Sequence, residues 1–217
     1  MTTHKPFAGL VAAALLMATT PSLAIGPGDW QARVGIIHSS PDVDSNDLPG
    51  TEAGGAELSV GTATGLGFNF TRMLSSHWGA EIFVGLPMKH KIKADGALSS
   101  AGTLVETDQL PVTFFAVYHF TPTSAIRPYI GAGWNYTRFI EETGVGELAF
   151  EFISIDATRG PAAQAGIDID ITPDLHFNAS VSYTDVETEV NTHTVEFGKT
   201  DVSIDPWTLF IGVGWRY

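Results

Sequence analysis

From Trp207 to Tyr217 the chain places apolar side chains at every second position: Trp207, Leu209, Ile211, Val213, Trp215 and Tyr217. A period of two marks a strand with two unlike faces. The positions between hold Thr208, Phe210, Gly212, Gly214 and Arg216, too little charge for a face turned to water. The same alternation recurs upstream in Trp30, Ala32, Val34, Ile36; in Leu66, Phe68, Phe70; and in Trp78, Ala80, Ile82, Val84, Leu86. It returns in Val112, Phe114, Ala116, Tyr118, Phe120; in Ile130, Ala132, Trp134, Tyr136; in Ala163, Ala165, Ile167, Ile169; and in Leu175, Phe177, Ala179, Val181, Tyr183. Eight strands are thus predicted. No helical stripe competes with them.

The second face of these strands is polar and above all small, with Gly65, Gly67, Asn69, Gly79, Glu81, Gly85, Thr113, His119, Gly131, Gly133, Gln164, Gly166, Asp168, His176, Asn178, Ser180 and Ser182. In a soluble barrel the outer face is rich in Lys and Glu, and glycine weakens strands without benefit. The reverse assignment fits better: eight strands enclose a lumen just wide enough for side chains to fill, so the inner face needs small residues beside a few polar ones. None of the apolar alternates is charged, as required where Lys or Arg facing the bilayer midplane costs about 2 to 4 kcal/mol. Aromatic residues at strand ends, Trp30, Trp78, Tyr118, Phe120, Trp207, Trp215 and Tyr217, suit girdles at the two membrane interfaces.

Connection lengths agree with this architecture. Short links at Thr71 to His77, Thr121 to Arg127 and Thr172 to Asp174 alternate with long ones near Ser39 to Thr62, His90 to Thr107, Ile140 to Thr158 and Asp185 to Ile204. Bacterial outer-membrane barrels have short periplasmic turns and longer extracellular loops. The fold class expected is all-β, an eight-stranded antiparallel up-and-down transmembrane barrel with both chain ends in the periplasm.

Residues 1–24 are set apart. Lys5 precedes an apolar run from Phe7 to Met17 and a Pro21-Ser22-Leu23-Ala24 stretch, the pattern of a secretory signal peptide cut after Ala24. The run is too short for a spanning helix of ~20 residues. One barrel domain over residues 25–217 is expected. Losing Lys5 from 11 Lys+Arg leaves 10 against 24 Asp+Glu, a net charge of −14, which disfavours nucleic acid as a partner. The chain has no cysteine, so no disulfide contributes to its stability.

Several strings resemble one family. Glu81-Ile82-Phe83-Val84-Gly85-Leu86-Pro87 running into Lys89-His90-Lys91-Ile92, Leu110-Pro111 before Thr113, and Arg127-Pro128-Tyr129-Ile130-Gly131-Ala132-Gly133 with Asn135-Tyr136-Thr137 are similar to the OmpW/AlkL family of outer-membrane proteins. Ala163-Gln164-Ala165-Gly166 and Asp205-Pro206-Trp207 extend the likeness from about Gly28 to Tyr217. The resemblance implies a barrel that lets small hydrophobic molecules cross the lipopolysaccharide layer and leave sideways into the membrane. It also implies that Phe83 looks inward and helps close the channel, although a plain lumen-filling role is equally open. The second closing residue of the family is commonly a tryptophan before a glycine. Here Arg159 stands before Gly160, which would make the passage more polar or pair Arg159 with Asp156 or Glu151. Tyr217 resembles the terminal aromatic by which the outer-membrane assembly machinery recognises its clients.

Candidate chemistry follows from parity. Phe83 and Phe115 fall on the inner face, and with Arg159, Phe150 and Phe152 they are candidate channel or gate residues. Arg33, Glu81, His119, Asp168, His176 and Arg216 are also inner, and buried ions must find partners. A hydrogen-bonded plug near the periplasmic end is expected of them, with a proton or ion path as the rival. The run from Gly144 to Ile155 is too apolar for an idle loop, and is expected to extend the wall or line the entrance. Acidic residues at Glu141, Glu142, Glu147 and Glu151 suit either a solvated loop or divalent cations shared with lipopolysaccharide phosphates.

Catalysis finds little support: there is no Gly-x-Ser-x-Gly, no phosphate-binding glycine loop, and no two histidines are closer than His77 and His90. Asp42, Asp44, Asn46 and Asp47 begin like a calcium loop but lack its glycine and closing glutamate. The function expected is a passive conduit for small hydrophobic solutes, needing no cofactor. The alternatives are a structural or adhesion barrel binding an envelope or host partner, and a narrow polar channel.

Overall fold

The computed structural model describes residues 24–45, 56–96, 102–145, 153–185, 187–192 and 199–217. In chain order the described strands are β1 (Trp30–Ser40), β2 (Val43–Ser45), β3 (Ala56–Val60), β4 (Ala63–Met73), β5 (Trp78–Gly85), β6 (Met88–Gly96) and β7 (Thr103–His119). They continue with β8 (Ile126–Gly144), β9 (Ile153–Ile155), β10 (Thr158–Asp170), β11 (Leu175–Thr184), β12 (Glu187–Thr192), β13 (Lys199–Ile204) and β14 (Trp207–Arg216). Eight of these, β1, β4, β5, β7, β8, β10, β11 and β14, pair antiparallel in a ring. Pairing of β7 with β8 and of β14 with β1 completes it. Closure leaves no free edge in the wall, as a sheet in hydrocarbon requires. The expected leader lies within residues 1–23, outside the described residues, apart from Ala24.

Alternation sets both faces of the wall. Trp30, Ile36, Phe70, Trp78, Phe114, Ile130, Trp134, Leu209 and Ile211 are exposed on the outside, while Gln31, Arg33, Asn69, Glu81, Thr113, His119, Asp168 and Asn178 are buried inside. This reverses the arrangement of a soluble protein, since lipid takes the place of the core. The narrow lumen explains the glycines. Gly35 faces Gly212 across the β1–β14 seam. A Cβ on Gly35 would lie 2.7 Å from the Gly212 Cα and against the Ile211 carbonyl, both backbone atoms that cannot swing aside.

The long connections expected as loops carry strands of their own. β7 and β8 run on past the expected strand ends, β6 pairs with β7, and β3 pairs with β6. A second sheet has the order β2-β13-β12-β9. Period two persists here, but the polarity of the faces inverts: Met88, His90 and Ile92 point in and are buried, while Lys89, Lys91 and Lys93 point out. Ile92, Val105 and Ile155 form a small inner cluster with Val60, Leu104 and Phe139. An apolar outer face therefore ends where the strands go on, because the outer positions become charged. The β7–β8 register also shifts between Glu106 and Asp108, opposite Glu141, whose φ of 56 makes it the turning residue of a bulge.

Gly35→Val is expected to lower the urea midpoint of unfolding in lipid vesicles by at least the ~1 to 3 kcal/mol typical of overpacked sites. The folded form is scored by its fast migration in unheated SDS gels. Ile36→Val, which trims a lipid-facing side chain, is expected to leave the midpoint nearly unchanged.

Candidate functional site

The lower lumen is built around one guanidinium. Arg33 of β1 donates from Nη1 to Glu81 Oε2 at 2.9 Å and to Thr71 Oγ1 at 2.8 Å. Its Nε and Nη2 hold the two oxygens of Asp168 at 3.2 and 2.9 Å, and Nη2 also reaches Gln31 Oε1 at 2.8 Å. Every donor of the guanidinium is thereby used in a geometry that suits its planar fork. The carboxylates are held in turn: Gln164 Nε2 donates to Glu81 Oε1 at 2.8 Å, and Asn178 Nδ2 donates to Asp168 Oδ1 at 2.7 Å. Tyr129 lies under the Arg33 charge, 5.5 Å from ring centre to Cζ, and its hydroxyl accepts from Asn178 at 3.0 Å. Side chains from β1, β4, β5, β8, β10 and β11 meet in this one layer.

A second ion-paired layer lies closer to the periplasm. Arg127 grips Asp170 through both nitrogens at 2.7 and 2.5 Å, and Arg216 Nη2 donates to the same carboxylate at 3.0 Å. His176 Nε2 is 3.6 Å from Asp168 Oδ1, and the His119 ring is 5.2 Å from that of Tyr129. Among the described residues, both ring nitrogens of His119 and Nδ1 of His176 have no hydrogen-bond partner. Charges and unused polar atoms make the lower lumen hostile to hydrocarbon.

Beside and above the Arg33 layer the lumen turns apolar. Phe83 stands edge-on to Phe210, 6.4 Å between ring centres, and joins two clusters: Ile37, Ala63, Met88 and Phe210 on one side, and Phe115, Val117, Tyr129 and Ala162 on the other. Together they pack around Phe83, and on one side they reach down to the Arg33 layer, where Phe115 is across from Glu81 and Tyr129 lies against the guanidinium. A cavity of about 30 Å³ lies above, floored by Phe83 and walled by neutral polar groups that include Ser39, Gln109, Thr113, Asn135, Thr137 and Thr208. That volume admits a water or two and no larger solute.

The structure brings Arg33, Glu81 and Asp168 into direct contact, and places Arg216 with Asp170 instead. Phe83 and Phe115 meet in one apolar cluster. Arg159 does not reach it. Thr158 and Gly160 take the inner face, so Arg159 is exposed on the outside, across from Tyr136. The expectation that it would make the passage more polar is therefore corrected. Phe150, Phe152, Glu147 and Glu151 lie outside the described residues. Arg127 and Asp170 escaped the sequence reading although the inner parity of Tyr129 and of Asp168, carried two residues further, points to both.

Lipid-facing apolar stripes, a closed eight-stranded wall and an ion-paired interior define an integral protein of the bacterial outer membrane. The OmpW family pattern matches residues 26–217, and the chain belongs to that family. It is 35% identical over 210 residues to outer membrane protein W of Vibrio cholerae, covering 93% of this chain and 94% of that one. Outer membrane protein AlkL of Ectopseudomonas oleovorans is 26% identical over 202 residues, 90% of this chain and 85% of that one. The crystal structure of OprG from Pseudomonas aeruginosa superimposes with a TM-score of 0.79 at 30% identity, covering 89% of this chain and 98% of that one.

Arg33→Met leaves Glu81 and Asp168 buried without their cation, and is expected to cost about 3 to 5 kcal/mol in vesicle unfolding. The triple change Arg33→Met, Glu81→Gln, Asp168→Asn removes all three charges and is expected to recover most of that loss. A single variant as stable as wild type would show that Glu81 and Asp168 do not depend on Arg33 for their burial.

Proposed function

We propose that the protein gives small hydrophobic molecules passive passage across the outer leaflet, receiving them between the extended strands and releasing them sideways into the membrane. One observation carries this reading: below Phe83 the lumen is filled by buried side chains, the apolar ones packed around Phe83 and the ion-paired Arg33 and Arg127 layers. A solute entering from outside has no axial way down. A hydrocarbon gains nothing by displacing paired charges, so the lower-cost exit is through the wall into lipid. The entrance supports the same direction, since Ile92, Val105 and Ile155 present apolar surface inside the extended wall, followed by Met88, Ile37 and Phe83. The cavity above Phe83 is too small for a solute as it stands. Flexible Met88 is the side chain best able to yield.

A second reading, a narrow polar channel, rests on the neutral hydroxyl and amide groups above Phe83. It would require both ionic layers to part. The proposal includes export under the 1–24 leader with cleavage after Ala24, and recognition of Tyr217 by the outer-membrane assembly machinery.

The test is the initial rate at which cells take up and hydrolyse a medium-chain fatty ester with an internal esterase reporter. Cells carrying the protein are expected to exceed cells lacking it several-fold, and Phe83→Trp, which adds bulk below the cavity, to reduce the gain. Equal rates would remove the conduit. Discrete conductance steps of the pure protein in planar bilayers would favour the polar channel.

A further inference from the structure

Cations are scarce on this acidic chain, and their placement is uneven. Among the described side chains, Arg33, Arg127 and Arg216 are spent in the lumen, and Arg72 sits at the periplasmic rim, 4.8 Å over the Trp30 ring. The others, Lys89, Lys91, Lys93, Arg138 and Arg159, are all exposed on one strip of outer wall formed by β6, β7, β8 and β10.

With β7 as a ruler, the strip rises in order. Arg159 is across from Tyr136, which is across from Val112; Arg138 is across from Leu110, Lys89 from Asp108, Lys91 from Glu106 and Lys93 from Thr103. Trp134 and Tyr136, exposed beneath Arg138 on the same strand, give the aromatic level from which the row climbs. At ~3.4 Å per residue and a tilt of ~40°, Val112 to Thr103 lifts the row by roughly 20 Å. The lysines have no inward alternative, since Met88, His90 and Ile92 fill the inner positions.

We infer that this strip binds the phosphorylated saccharide headgroup of the outer leaflet's glycolipid. Two features select that partner. The row is too tall for a phospholipid, whose headgroup layer adds only about 5 to 8 Å on each side of the hydrocarbon, so its anions must be carried at several heights along a sugar chain. It is also pre-aligned: Glu106 holds Lys91 at 3.2 Å and Lys89 at 3.7 Å, fixing two ammonium groups side by side while leaving both more than half exposed. The Lys91 hydrogen bond and charge keep the Glu106 carboxyl below its usual range, so the spacer stays ionised.

The experiment titrates the full protein in nanodiscs with fluorescent lipopolysaccharide, the same material after enzymatic dephosphorylation, and labelled phosphatidylglycerol. Wild type is expected to retain phosphorylated lipopolysaccharide about tenfold or more above the other two, given the contribution of each surface cation to anionic lipid binding. Changing Lys89, Lys91, Lys93, Arg138 and Arg159 together to Gln is expected to erase the difference, whereas Lys/Arg exchanges at these positions keep it. Should the fivefold variant not fold, Lys89→Gln with Lys91→Gln and Arg138→Gln with Arg159→Gln are scored as pairs per folded barrel, each expected to lose several-fold. Retention unchanged in the Gln variants, indifferent to phosphate, or matched by phosphatidylglycerol overturns the inference.

Discussion

The structure depends on one buried guanidinium. A barrel in lipid can expose only apolar side chains outward, so its polar residues are confined to a lumen that has neither the width nor the dielectric of water. Arg33 is fully buried there, and five hydrogen bonds to Glu81, Asp168, Thr71 and Gln31 answer it. Each partner comes from a position fixed by register. Glu81 is across from Thr71, and Asp168 is across from Asn178. A slip by one residue would send every one of these groups to the lipid side. The ionic layer therefore penalises wrong registers more than it rewards the right one. That is the role to which a buried ion pair is best suited, because its desolvation offsets much of its attraction.

How far the sequence could be read follows from the same physics. Where lipid is the outer solvent, an apolar outer face alternates with an inner face of mostly small or polar residues, and the eight membrane strands and the inner position of Arg33, Glu81, His119, Asp168, Phe83 and Phe115 are visible in that alternation. Partners within the lumen are not. Parity says that Arg216 and Asp168 face inward, but only the register shows that Arg216 reaches Asp170 and that Asp168 belongs to Arg33. The strands above the membrane were missed for a different reason. Met88, His90 and Ile92 keep the period, yet they reverse which solvent each face meets, and a search keyed to apolar outer faces reads that reversal as the end of the strand.

Arg159 illustrates how the two regimes meet. A position judged by family resemblance was expected in the passage; its neighbours Thr158 and Gly160 place it outside, beside Tyr136. Nothing in the lumen is lost by this, since the wall there is already lined with neutral polar groups. The charge is instead useful where it stands. An arginine next to an interfacial tyrosine keeps its stem against apolar surface and its head among polar groups, and it marks the level at which hydrocarbon gives way to headgroups.

The two halves of the molecule consequently differ in polarity along that level. Below it the outside is apolar and the inside charged, so a solute soluble in lipid has every reason to be outside the barrel. Above it the outside is charged and the inside carries Ile92, Val105 and Ile155, so the same solute is better accommodated within. Its preferred side of the wall therefore changes at the height of Phe83 and Met88, where the inner apolar surface ends in a closed floor. Under the proposed conduit, a solute crossing the wall at this height would need no energy source and no opening through the ionic layers. The gradient in polarity across the wall reverses sign there, and the lateral release proposed above would draw its driving force from that reversal.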